Sequence, residues 1–102
     1  MLEIRPNCEC CDVDLAPDST EAMICSYECT FCVACVNDTL ENVCPNCGGG
    51  FAQRPIRPKI SRRLRLSINH QTPSVNRVHT KYSLEELKQF SANVKQIKPE
   101  DR

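Results

Sequence analysis

All nine cysteines of this 102-residue chain lie between Cys8 and Cys47. Eight of them fall into pairs: Cys8-x2-Cys11, Cys25-x3-Cys29, Cys32-x2-Cys35 and Cys44-x2-Cys47. A gap of two or three residues lets the backbone turn so that two thiolates point at one ion, and four such pairs supply two tetrahedral sites of four thiolates each. A site closed by four protein ligands has no position left for water or substrate, so the chemistry expected is structural: two Zn2+ ions that hold the chain together. Nine is an odd number, and a disulfide framework would leave one thiol over. Clustered cysteines in a reducing compartment read as metal ligands. Cys29, Cys32 and Cys35 also imitate part of an iron–sulfur run, but Thr39 stands where that run places its next cysteine. Cys10, the ninth, is expected to be a thiol beside the first pair; competition for the ion or a redox-sensitive role is the sharper reading.

The segments that must position these thiols are short. Residues 1–50 are poor in large apolar side chains, and the whole chain has no Trp. So little apolar surface cannot offset the chain entropy unaided, and a metal staple is needed. Val36 and Leu40, four apart, would form the inner face of a short helix between pairs. Gly48-Gly49-Gly50 reads as a flexible break that closes a double-zinc module over residues 1–50. Residues 51–82 form a basic extended region. In it Arg54-Pro55-Ile56-Arg57-Pro58 is held extended by its prolines, and the alternation from Arg63 to Ile68 predicts a short strand. Residues 83–98 read as an amphipathic helix: Ser83 and Glu86 make a capping box, Leu84, Leu87, Phe90, Val94 and Ile97 share one face, and Pro99 ends it. A helix of that length is marginal alone. It is expected to pack on its own module or the strand near Leu64–Ile68, with homodimerisation through the stripe as the second option. The fold class expected is a small zinc-stabilised α+β domain with few short strands, one short helix and this C-terminal extension.

Charge divides the chain in two. Residues 1–47 carry nine Asp and Glu against Arg5 alone, a balance of −8, and residues 48–102 carry twelve Lys and Arg against four carboxylates, a balance of +8. Eight thiolates holding two Zn2+ would deepen the first figure. No apolar run approaches the roughly 20 residues of a membrane span. Met1–Asn7 carries neither a basic nor an apolar leader segment. A cytoplasmic protein without a membrane partner is expected.

The cysteine spacing as a whole resembles the RING finger, with Cys29 where a RING usually has His. Cys29-Thr30-Phe31-Cys32-Val33-Ala34-Cys35 is similar to its central knuckle, and Cys44-Pro45-Asn46-Cys47 to its C-P-x-C close. That resemblance implies a cross-braced, treble-clef type of fold: Cys8, Cys11, Cys32 and Cys35 on one zinc, Cys25, Cys29, Cys44 and Cys47 on the other. Sequential pairing, first four then last four, would use the same ligands. RING ubiquitin ligases resemble one another at three contact points, and these hold Cys10, no Trp and Gly48 here, which speaks against ligase activity. The segments Arg5–Cys11, Ile24–Cys32 and Cys44–Gly49 further resemble a bacterial family of short cysteine-rich proteins, domain of unknown function 1272, over about residues 1–58. That likeness implies a bacterial source and adds to the zinc reading, and it names no activity.

The function expected is therefore a zinc scaffold acting as a protein–protein interaction module, with Phe31, Val33 and the Leu2–Ile4 edge as candidate apolar contacts unless they form the core. A nucleic-acid-binding or regulatory role for the basic stretch 54–65 is the alternative, and a ligase-like activity a remoter one. Few aromatics for stacking and an acidic neighbour weigh against nucleic acid. The basic tail folding back on the acidic module, within or between chains, is the plainest account of the charge division. No nucleophile–base pair, open metal position or phosphate loop points to an enzyme. His70 and His79, distant from the cysteines in sequence, are read as surface residues.

Overall fold

The computed structural model describes all of residues 1–102. Three short strands make one antiparallel sheet: β1 (Ala22–Ile24), β2 (Thr30–Cys32) and β3 (Ala52–Gln53), in the order β2-β1-β3. Met23 stands opposite Phe31 on one side and Gln53 on the other. The β1–β2 hairpin is the second cysteine pair itself. Cys25 donates its N–H to the Cys29 carbonyl at 3.2 Å, and Glu28 takes the left-handed conformation (φ 68°) the tight turn requires. Helix α1 (Val33–Asp38) starts directly from β2, with Cys32 as its N-cap. It buries Val36 as expected, but it ends at Asp38, so Leu40 is not on its inner face and is instead fully buried in the turn that follows.

The core is small and largely made of sulfur. Phe31 and Leu40 pack among Cys8, Cys25, Cys29, Cys32, Cys35 and Cys44. Phe31 meets Phe51 edge to face, with ring centroids 5.3 Å apart. Phe31 is thus a core residue and not a contact surface, and Ile4 is buried as well. Such a core is far below what a domain needs from burial alone, which leaves the cysteines to hold it.

The three glycines are built into the module. Gly48, at φ +81°, donates to the Cys44 carbonyl at 2.7 Å, and Gly49 accepts from the Cys44 N–H at 2.8 Å. The chain then runs straight into β3, so the sheet takes a strand from beyond the glycines. Arg54 follows and is 1% exposed; its guanidinium donates to the carbonyls of Arg5 (2.8 Å) and Ala16 (3.0 Å). Arg57 donates to the Leu2 and Gln71 carbonyls.

The strand expected at Arg63–Ile68 is absent. This segment is a chain of turns, with Arg65 left-handed at φ 60°. No strand pairs with it, and the Gln71 side chain takes up its backbone instead, donating to the Arg65 carbonyl and accepting from the Ser67 N–H. The only strand of the extension is β3. Residues 74–80 then cross back over the first cysteine loop. Ser74 N–H reaches the Ile4 carbonyl, Thr80 N–H the Glu9 carbonyl, and the buried Asn7 amide the Val78 carbonyl. Arg77 grips the carboxylates of Asp12 and Asp14.

Helix α2 (Leu84–Val94) has the expected capping box, with Ser83 Oγ accepting from Glu86 N–H and the Glu86 carboxylate accepting from Ser83 N–H. It ends earlier than the apolar stripe suggested. Lys98, the residue before Pro99, is extended (ψ 142°), as a residue before proline prefers, and Pro99 opens a short 3-10 turn over Pro99–Asp101. Ile97 therefore lies outside the helix. Of the stripe only Leu87 is fully buried, and Leu84, Phe90 and Ile97 stay exposed. The helix lies on the module: Ser91 Oγ donates to the Leu40 carbonyl at 2.8 Å, and Lys95 pairs with Glu41. The fold-back of a basic tail on an acidic module is thus made within one chain.

Candidate metal centre

The structure draws the cysteine pairs together in an interleaved way. The sulfurs of Cys8, Cys11, Cys32 and Cys35 all lie within 4.8 Å of one another, and those of Cys25, Cys44 and Cys47 form a second group of the same tightness. First pair meets third, and second meets fourth. Cys29 stands outside the second group by that distance. It is nevertheless beside it: its buried thiol neighbours both Cys25 and the Asn46 side chain.

Local backbone explains why the sulfurs converge. Each close pair curls so that amide N–H groups point at one of its sulfurs. The N–H of Cys10 and of Cys11 donate to Cys8 Sγ at 3.4 and 3.5 Å, Tyr27 N–H to Cys25 Sγ at 3.3 Å, and Cys35 N–H to Cys32 Sγ at 3.5 Å. Gly49 N–H does the same for Cys47 Sγ at 3.4 Å. Donors aimed at sulfur favour the thiolate, the form that binds metal. Burial works the other way. It pushes the thiols of Cys29, Cys32, Cys35 and Cys44 up, and the neighbouring sulfurs add to it. Cys11 is the exception. Burial raises it too, but hydrogen bonds from the Val13 backbone and the adjoining sulfurs bring it below the ordinary thiol value. Several thiols crowded this closely, held protonated by burial while metal binding needs the thiolate, are a poor arrangement unless a cation sits among them. A divalent ion removes both penalties.

Around the sulfurs runs a polar girdle that the cysteine pattern did not disclose. Glu9 is 3% exposed. Its carboxylate accepts from Thr30 N–H (2.8 Å), between Cys29 and Cys32, and from the Asn46 amide (3.2 Å), between Cys44 and Cys47, while Arg5 pairs with it at 2.8 Å. One buried carboxylate thereby touches the turns of both clusters. Its position inside Cys8-Glu9-Cys10-Cys11 was the available signal. Arg54, the first residue of the basic stretch 54–65, pins two loops from within. Cys10 is half-buried beside Cys35 and belongs to neither group. His79, distant in sequence, is near in space: its Nε2 lies 3.3 Å from the Cys10 carbonyl. It contacts the backbone, and the metal-type groupings contain no histidine. His70 hydrogen-bonds Ser67.

Comparison with known proteins follows the same residues. The family model described as "Protein of unknown function (DUF1272)" matches residues 1–57. The chain belongs to this family. An uncharacterized protein of Rhizobium meliloti (strain 1021) is 62% identical over 58 residues, covering 57% of this chain and 69% of the relative. No solved structure matches. The matched span ends at Arg57, after β3 and the buried Arg54, so it covers the cysteine clusters and the whole sheet. No helix is long and apolar enough to cross a membrane.

Proposed function

We propose that this member of the DUF1272 family is a cytoplasmic zinc scaffold whose two ions build a RING-like, cross-braced module, and that the module serves to present a surface to a protein partner. The interleaving of the cysteine groups carries this reading. Two ions placed so would tie residues 8–11 to 32–35 and residues 25–29 to 44–47, and neither loop could leave without the other. An all-thiol donor set of four at tetrahedral spacing suits Zn2+. Cys29, adjoining Cys25, completes the second site by a small swing of its thiol. The zinc supplies cross-linking and charge compensation, and the residues around it supply shape. With both sites closed by protein ligands the module offers no metal-bound water, and we read it as a binding protein and not an enzyme.

Native mass spectrometry on protein purified without added metal tests the reading. Two zinc ions per chain, with loss of folded structure on chelation, is the expected result. One ion, bound iron or a mass short by the hydrogens of disulfides would overturn it. Cys29→Ser should lose one ion and Cys10→Ser none.

A further inference from the structure

Two features of the surface have no partner within the chain. The first is a finger, residues 59–67. Its base is closed by the Ile68 N–H on the Pro58 carbonyl (2.8 Å) and by the contacts of Gln71 with Arg65 and Ser67. Its outer part carries Lys59, Arg62, Arg63 and Arg65, all exposed and none in an ion pair. Between them stand Ile60, Leu64 and Leu66, and Leu64 is 86% exposed. Leucines held this far out in water by an ordered loop are a cost that contact with another apolar surface removes.

The second feature is a groove of about 480 Å³ between α2 and the last cysteine pair. Pro45, Leu87, Phe90 and Tyr82 give it apolar walls, and the Glu85 carboxylate stands at it outside any ion pair, beside Glu86, whose carboxylate caps the helix through Ser83 N–H, with no Lys or Arg in the lining. Finger and groove are complementary in both properties at once: aliphatic tip with cationic flanks, apolar floor with anionic rim. The finger does not line its own groove.

We propose that the finger of one chain docks in the groove of a second copy, Leu64 on the Phe90–Pro45 floor and Arg62 or Arg63 against Glu85. This rests on the scaffold reading above and names its partner. Made reciprocally, the contact closes a two-fold dimer with two identical joints. Nucleic acid fits the finger less well. It carries no aromatic side chain for base stacking, and Arg54 and Arg57 are already committed to backbone carbonyls inside the chain.

Native mass spectrometry of the full zinc-loaded chain, paired with sedimentation equilibrium at low and high salt, reads assembly and zinc content in one preparation. The expected species is a two-chain assembly with four zinc ions that dissociates more readily at high salt. Leu64→Asp, at a site too exposed to matter for folding, should weaken association by about thirtyfold or more, the scale of a buried anchor residue. Glu85→Lys should weaken it too, and Arg63→Glu combined with Glu85→Lys should recover part of the loss. A wild-type chain that is monomeric with two zinc ions overturns the docking and leaves the scaffold standing. So does association untouched by Leu64→Asp and Glu85→Lys. A chain without zinc overturns the scaffold itself.

Discussion

The module of residues 1–57 and the tail of residues 58–102 are both ordered, but by different means. In the module the ordering groups are sulfurs, converging from sequence-distant pairs on two points, with hydrocarbon as filler. In the tail they are hydrogen bonds to module carbonyls, three ion pairs on Asp12, Asp14 and Glu41, and one buried leucine. A metal-tied region loses everything when its ion goes, whereas a region laid on by many weak contacts is lost piecemeal. The dependence should also run one way, since the tail is laid over a surface that the module makes.

The largest test of that asymmetry is removal of metal. Chelation should unfold the module and set the tail free with it, read as collapse of amide chemical-shift dispersion across the whole chain. A chain ending at Pro58 should keep both zinc ions and its dispersion; if it unfolds, the one-way relation is wrong. Next comes Arg54, the module's buried cation. Arg54→Ala leaves the Arg5 and Ala16 carbonyls without charged donors and should cost about 3 kcal/mol in denaturant titration of the zinc-loaded protein. A loss near zero would mean that metal alone holds those loops. Ser83→Ala should cost about 1 kcal/mol, confined to α2, with amide exchange rising at Leu84–Leu87 while zinc content stays the same. The smallest effect belongs to Arg77 and Asp12. The hydrogen bond from Arg77 holds the Asp12 carboxyl below the usual carboxylate range. Its contribution is therefore present above the ordinary carboxylate value and lost as pH falls through the lowered one. Arg77→Gln should bring Asp12 back up toward the ordinary value in a carbon-detected NMR titration; an unmoved Asp12 would show that the pair is idle.

Sequence and structure agree best where chemistry has a fixed spacing. The cysteine pairs, the helix between them and the Ser83–Glu86 capping box could all be read directly, because each depends on residues only a few positions apart. The alternation at Arg63–Ile68 misled because a strand needs a paired neighbour, and here the Gln71 side chain takes the backbone groups such a neighbour would use. The glycines misled in the same way, since conformational freedom serves a tight turn as well as a hinge, and Gly48 is in such a turn. Glu9, Arg54 and Asn7 were hidden for a different reason. Their partners are backbone groups up to 71 residues away, and no composition or period encodes a carbonyl waiting in another loop.

Glu9 has one further bearing, on how the two proposed zinc sites would fill when metal is scarce. Its carboxylate accepts from the loop between Cys29 and Cys32 and from the loop between Cys44 and Cys47, so an ion settling in either cluster would also set the frame for the other. Loading should then be all or none across a population: in a substoichiometric zinc titration, chains carry two ions or none, and one-ion species are scarce. Glu9→Gln should let the one-ion species accumulate, and a wild-type protein that already fills stepwise would break the link. If the proposed sites fill in this way, each chain is either complete or unfolded, and the metal supply would set how many chains are complete rather than how complete each one is.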